Sequence, residues 1–231
     1  MSEPSRTKPP RTKPSRTDPP AIHSPRTSRI YVLAGTNGAG KSSLMGAMLL
    51  ASGTEYFNPD AAARNILEAS PGISQEQANS AAWHEGKRLL ERAIAERLDF
   101  AFETTLGGKT IAGLLERALE EGIEVRIWYV GLEGVERHIA RVRARVAQGG
   151  HDIPEAKIRE RYVESRLSLI RLLPRLTELL VYDNSKEANP LSGQAPEPML
   201  ILHVVQGRVR TMCELAQVPE WAKAIVATAL R

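Results

Sequence analysis

The chain has 231 residues, with 31 Lys plus Arg against 27 Asp plus Glu, an apolar fraction of 42% and a single cysteine, Cys213. That length suits one sizeable domain, able to bury about 70% of the surface its unfolded chain exposes without a disulfide or zinc ion. One cysteine excludes a disulfide framework and a Cys-based metal cluster, and fits a reducing, cytoplasmic compartment. No apolar run approaches the ~18 residues of a membrane span, and no apolar segment follows the basic N-terminus as a secretory signal requires.

Charge is unevenly spread. Residues 1–29 hold seven basic against two acidic residues, a net of +5, which leaves −1 of the chain's +4 for residues 30–231. This tail has seven of the fifteen prolines and repeats Arg-Thr at positions 6, 11, 16 and 26. It offers nothing apolar to bury and is expected to be disordered. A solubilising or vestigial extension accounts for it, and contact of this tail with nucleic acid, an acidic partner or anionic lipid is the alternative.

From residue 30 short apolar runs alternate with helical stretches, the pattern of an α/β domain with a mainly parallel sheet. Ile30–Ala34 reads as a buried first strand, Lys41–Ala51 as a helix and Thr54–Phe57 as a short second strand. Ser74 with Gln77 matches a capping box, opening a helix that runs to Leu98. Phe100–Glu103 is a third strand. Ile111, Leu114, Leu115, Ala118 and Leu119 mark the clearest helical face. Ile123–Val130 reads as the fourth strand, followed by a helix on Val135, Ile139, Val142 and Val146 that ends at Gly149-Gly150. Another helix starts at Pro154 and runs through Ile158, Val163 and Leu167 to Pro174. Leu179–Tyr182 and Met199–Val205 are further strands, giving five to six in all, and Pro219–Leu230 is a closing helix.

The strongest motif is Gly35-Thr36-Asn37-Gly38-Ala39-Gly40-Lys41-Ser42, which fits G-x-x-x-x-G-K-[ST] between a strand and a helix. Its glycines let the backbone wrap phosphate oxygens, Lys41 neutralises the β and γ phosphates, and the Ser42 hydroxyl reaches Mg²⁺. Ser43, at the start of the helix, extends the ATP-binding set. A motor ATPase would add an apolar strand ending in Asp or Asp-Glu; the nearest imitation is Asp183 in Tyr182-Asp183-Asn184-Ser185. A G-protein would add N-K-x-D, which the chain lacks. A kinase-like domain remains.

Ligands of such a sheet gather at the carboxyl ends of its strands. After the second strand stands Asn58-Pro59-Asp60, where Asp60 is either a helix N-cap or a general base for an acceptor hydroxyl. After the third stand Glu103, Thr104 and Thr105, which could orient an acceptor or hold a metal-bound water. Arg137, Arg141 and Arg145 recur every four residues on one helical face, as a lid carrying guanidinium groups over a transferring phosphoryl would. Arg159 and Arg161 extend the cluster, and His151 is a phosphate or substrate contact or a satisfied loop histidine. Trp83, Trp128 and Trp221 read as packing residues, and His84, His138 and His203 have no metal-ligand spacing.

Together, IYVLAGTNGAGKS at 30–42, FNPD at 57–60, FAFETT at 100–105, RVRARVAQGGHDIP at 141–154, IRERY at 158–162 and VYDNS at 181–185 resemble the zeta-toxin-like family of P-loop kinases. The resemblance is greatest to a short bacterial branch often labelled predicted ABC-type ATPases. It implies a nucleoside-monophosphate-kinase-like sheet and Mg-ATP-dependent transfer of the γ-phosphate to the 3′-hydroxyl of UDP-N-acetylglucosamine, with a separate antitoxin protein as a possible partner. By position, Lys41 and Ser42 match the Walker lysine and metal hydroxyl, Asp60 the base, Glu103 and Thr105 the acceptor contacts, and Arg145 a phosphate clamp. The second clamp falls at His151 or a neighbour, with Arg141 as a substitute. The rival readings are a kinase of a nucleotide or nucleic-acid 5′-end, and a non-catalytic ATP-controlled binding module.

Overall fold

The structure, a computed structural model, describes residues 27–41, 56–186 and 197–231. The expected tail up to residue 26, the helix after Lys41, Thr54 and the site residues Ser42 and Ser43 therefore lie outside the described residues. The first strand, Arg29–Ala34 (β1), begins at the last residue assigned to the tail. Ile30, Val32 and Ala34 point into the main core, and Leu33 joins Ala39, Ala101 and Val130 in a smaller cluster. Burial of both faces explains why the run is apolar without interruption.

β1 lies between Phe100–Thr104 (β3) and Glu124–Gly131 (β4), parallel to both. Tyr56–Phe57 (β2) pairs in parallel with β3, and Glu178–Asp183 (β5) with β4. Met199–Val205 (β6) and Arg208–Met212 (β7) follow as an antiparallel edge, giving the order β2-β3-β1-β4-β5-β6-β7. The expected α/β fold with a mainly parallel sheet is present, with one strand more than the sequence pattern suggests. That strand, β7, alternates without being strongly apolar: Val209 and Met212 pack on the core while Arg208 and Arg210 are exposed. Its turn is Gln206-Gly207, both at positive φ (49° and 70°), as a two-residue hairpin turn requires.

Helices Pro59–Ala69 (α1), Gln75–Glu96 (α2), Lys109–Glu120 (α3), Val135–Ala147 (α4), Glu155–Leu172 (α5) and Lys223–Ala229 (α6) surround the sheet. The capping box of α2 forms as expected: the Gln77 amide donates to Ser74 Oγ at 3.2 Å and the Ser74 amide to Gln77 Oε1 at 2.9 Å. Leu90 and Ile94 of α2, Leu115 of α3, and Leu169 and Leu172 of α5 share the main core with the sheet. On α5 the inward face differs from the expected one, because Val163 and Leu167 are exposed. Ser165 and Ser168 are buried instead; the Ser165 hydroxyl donates to the Thr105 carbonyl at 2.6 Å and meets the Tyr129 hydroxyl at 2.9 Å. That pairing satisfies polar atoms between α5, β3 and β4 that would otherwise be costly to bury. The closing segment is shorter than expected, a 3₁₀ turn at Glu220–Ala222 leading into α6. Among the described residues no helix is long and apolar enough to cross a membrane.

Candidate active site

The turn after β1 is held by its neighbours. Gly35 has φ 140°, and a Cβ there would stand 2.1 Å from the Val130 carbonyl oxygen, so only glycine lets the loop leave β1 against β4. The Ala39 amide closes the turn on the Thr36 carbonyl at 3.1 Å. The Asn37 carbonyl accepts from His138 Nδ1 at 2.7 Å, the Ala39 carbonyl from Asn184 Nδ2 at 2.9 Å, and the Asn37 side-chain oxygen from Arg161 Nη1 at 2.9 Å. His138 is buried, and burial lowers its pKa to about 4, so the ring is neutral at pH 7. Because a carbonyl only accepts, the tautomer that fits carries its proton on Nδ1.

Lys41 is buried beneath the loop, with Nζ 3.4 Å from the Thr36 carbonyl and 3.6 Å from Glu103 Oε1. The register explains the pairing, since Leu33 of β1 lies opposite Glu103 of β3. The second oxygen of Glu103 accepts from the Tyr56 hydroxyl at 2.9 Å and from Asn58 Nδ2 at 3.1 Å. Burial, with Glu103 beside it, raises the Tyr56 pKa far above its ordinary value, so the phenol stays a donor.

Asn58, not Asp60, caps α1: its Oδ1 accepts from the amides of Asp60 at 2.9 Å and Ala61 at 3.0 Å. Pro59 occupies the first helical position, where no amide is needed. Asp60 is thereby released from the capping role allowed by its spacing, and its carboxylate turns to the cleft. Oδ2 lies 3.6 Å from Arg145 Nη1, and Oδ1 lies 3.8 Å from His151 Nε2.

The arginines of α4 separate. Arg141 and Arg145 line the cleft, whereas Arg137 donates to the Ser185 carbonyl in an exposed position. Arg141 donates to the Asn184 carbonyl at 3.0 Å, and Arg145 to the His151 carbonyl at 3.4 Å. Arg145 Nε is buried without a hydrogen bond among the described residues. Arg159 is engaged by Glu136 and Glu155 on the exposed side, but Arg161 lines the cleft and touches the loop through Asn37. Burial lowers the Arg161 pKa, a sign that its charge is costly there. Gly107 makes this approach possible, since a Cβ there would stand 2.7 Å from Arg161 Cγ and 2.9 Å from its Cβ.

Thr104 and Thr105 also line the cleft. Thr104 Oγ1 accepts from the Leu106 amide at 3.0 Å and Thr105 Oγ1 from the Gly107 amide at 3.4 Å, which shapes the bend after β3 and leaves each hydroxyl proton to donate elsewhere.

The result is one cleft of about 740 Å³. Within it stand Lys41, Asp60, Glu103, Thr104, Thr105, Arg141, Arg145 and His151 from the expected set, together with Asn37, Gly38 and Gly40 of the loop. Gly35, Thr36 and Ala39 support the loop from behind it; Thr36 and Ala39 are themselves buried. Asp183 is not among the cleft residues, because its carboxylate accepts from the Ser185 hydroxyl at 2.6 Å and Trp221 Nε1 at 2.9 Å. Two contributors escaped residue-by-residue reading, Asn58 and Tyr56, because their work is to hold Glu103. Arg161, read with Arg159 as extending the arginine cluster, enters the cleft without it.

A family model described as Zeta toxin matches residues 15–189, more than half of the chain. The chain belongs to the zeta toxin family. This zeta-toxin-family chain is 34% identical over 137 residues to an uncharacterized protein of Haemophilus influenzae (strain ATCC 51907 / DSM 11121 / KW20 / Rd), covering 55% of this chain and 88% of that protein. Its fold is similar to a chain of the AvrRxo1-ORF1:AvrRxo1-ORF2 complex solved with sulphate ions, at TM-score 0.61 and 15% identity over 88% of this chain. It spans 64% of that chain's length. The same complex has been solved with ATP, again at TM-score 0.61. A chain of the PezAT chromosomal toxin-antitoxin system of Streptococcus pneumoniae aligns at TM-score 0.50 and 14% identity, covering 69% of this chain and 68% of that one. The family is the one the motifs resemble, and the α/β fold with its mainly parallel sheet is shared with these structures.

Proposed function

We propose that the chain is an ATP-dependent kinase that transfers the γ-phosphate to a hydroxyl of a sugar nucleotide, best the 3′-hydroxyl of UDP-N-acetylglucosamine. The observation that carries this reading is the position of Asp60. Its carboxylate, free of capping duty, faces the cleft that Lys41 and Arg145 also line. ATP binding is supported by the Gly35-to-Lys41 loop and by the similar complex solved with ATP.

In this reading the loop amides and Lys41 hold the β and γ phosphates. Asp60 accepts the acceptor hydroxyl's proton as that oxygen bonds to the γ-phosphorus, the bond to the bridging oxygen breaks, and ADP departs. Arg141, Arg145 and Arg161 stabilise charge on the equatorial oxygens, which is where most of the catalysis of phosphoryl transfer lies. Arg161 thus takes the second clamping place that the sequence left to His151 or Arg141, and His151 instead orients Asp60. Glu103, Thr104 and Thr105 position the acceptor.

Mg²⁺ needs few protein oxygens beside those of the phosphates. Glu103 Oε1, buried next to Lys41, is a suitable hard donor, and the Ser42 hydroxyl is the other by motif. The ion would neutralise phosphate charge. A separate antitoxin belongs to this reading, supported by the toxin-antitoxin complex among the similar structures.

The test is transfer of labelled γ-phosphate to UDP-N-acetylglucosamine with Mg²⁺, comparing wild type with Asp60→Asn and Lys41→Ala. Transfer by wild type alone supports the acceptor and the base. Bound ATP with no phosphorylated product from any metabolite would favour a nucleotide-controlled binding module.

A further inference from the structure

One wall of the cleft comes from a helix that supplies none of the groups proposed to handle phosphate. Asn79, Ala82, Trp83, Gly86 and Lys87 recur at helical spacing along α2 and line the cleft together. The wall has an unusual make-up. Ala82 and Gly86 are buried and small, and a Cβ on Gly86 would stand 2.6 Å from the Phe57 ring, so that ring is drawn against the helix. Trp83 between them remains 42% exposed. The indole lines the cleft, in edge-to-face contact with His84 (ring centroids 4.9 Å apart) and otherwise half open beside small residues, where burying it in the core would be the more favourable use of a tryptophan.

The polar groups beside it are arranged as donors. Asn79 Oδ1 accepts from Gln75 Nε2 at 3.0 Å, which directs the oxygen along the helix and leaves the amide NH₂ to donate. Lys87 is held by Glu91 at 2.6 Å at the next turn. A flat indole with an amide donor one turn before it and an ammonium one turn after fits a planar heteroaromatic ring bearing carbonyl acceptors and joined to an anionic group. A sugar ring can also lay a C–H face on an indole, so a sugar phosphate without the heteroaromatic ring is the control that separates the two.

We infer that Trp83 is the specificity-determining residue of an acceptor subsite on α2, stacking a nucleobase-like ring of the acceptor while Asn79 donates to the ring edge and Lys87 meets its anionic linker. This deepens the kinase reading and rests on it, since it assigns the acceptor's ring to the α2 wall of the cleft. The indole, read from the sequence as packing, becomes a recognition surface.

The experiment is calorimetric titration of the full chain, saturated with a non-hydrolysable ATP analogue and Mg²⁺, using UDP-N-acetylglucosamine, the four ribonucleoside diphosphates and N-acetylglucosamine 1-phosphate, which lacks the ring. Wild type is expected to bind at least one ring-bearing ligand at least tenfold more tightly than the ring-free phosphate. Base stacking on an aromatic side chain corresponds to roughly 5- to 150-fold in affinity, so Trp83→Ala should remove that preference and Trp83→Phe should keep most of it. Affinity for the ATP analogue should be unchanged in both variants, which shows that they remain folded. Equal binding of ring-bearing and ring-free ligands, a preference that survives Trp83→Ala, or no binding of any of them overturns the subsite. Ring-dependent binding without phosphate transfer keeps the subsite and overturns the kinase reading.

Discussion

Asp60 and Arg145 face each other across the cleft, with Oδ2 3.6 Å from Nη1, and both side chains are more than one-third exposed. An ion pair so open to solvent is worth little as a stabilising contact, typically about 0–1 kcal/mol. Its value is positional: it aims a carboxylate and a guanidinium at the same space, and a phosphate can compete for the arginine at small cost.

Replacing Asp60 by Asn should lower phosphate transfer by roughly 10²–10⁴-fold, the usual contribution of a general base. ATP affinity should change little, because the proposed mechanism assigns the phosphates to the loop and Lys41. Radiolabel transfer and equilibrium ATP binding measured on the same preparations check both halves, and an Asn variant with undiminished turnover would remove Asp60 from the chemistry.

Lys41→Ala should abolish ATP binding and also destabilise the fold. The pair with Glu103 is buried, and removing one member of such a pair costs about 3 kcal/mol. The hydrogen bonds from Tyr56 and Asn58 keep the loss at this low end of the usual range. Denaturant unfolding should show the midpoint falling for Lys41→Ala and recovering in Lys41→Ala/Glu103→Gln.

His138 predicts a pH dependence. Its folded pKa, about 4, lies below the ~6.5 of an unfolded histidine, so the unfolded chain binds more protons between these values. Its neutral form is compatible with the full stability of the fold above pH 6.5, and protonating the unfolded state erodes that stability as pH falls towards 4. Between pH 7 and 4.5 the linkage is about 2–3 kcal/mol. His138→Asn retains a donor for the Asn37 carbonyl and should flatten this part of the curve. Urea unfolding at the two pH values decides it.

Two glycines near the site should respond in opposite ways to alanine. At Gly107 a Cβ meets Arg161, so Gly107→Ala should push the guanidinium from Asn37 and cut kcat by tenfold or more with a smaller change in ATP affinity. Gly113, on the exposed side of α3 with nothing within 4 Å, should gain about 0.5–1 kcal/mol of stability as alanine. Steady-state kinetics and thermal unfolding of the two variants separate site geometry from general effects on the fold.

β1 was legible because it is buried on both faces and reads as an apolar run, and β4 because buried Val125, Ile127 and Tyr129 alternate with half-buried Glu124, Arg126 and Trp128. The phosphate loop was legible for a different reason: backbone wrapping of phosphate demands glycines at set intervals and a lysine at the end. β7 was hard to read because an edge strand needs only Val209 and Met212 on the core. The inward face of α5 was misjudged because hydropathy cannot foresee that Ser165 will be buried to serve Tyr129 and Thr105.

Local order in the chain was enough for the phosphate loop, the capping box of α2 and the family motifs, since these depend on neighbours a few residues apart. Which of Asn58 and Asp60 caps α1, which of Arg159 and Arg161 enters the cleft, and what Trp83 faces are relations between segments far apart in the chain or between rival groups within one turn. Each competing residue has the same local propensity, so the choice falls to tertiary packing: the Asn58 amide is claimed by Glu103, the approach of Arg161 is admitted by Gly107, and the indole is left open by the small residues of α2.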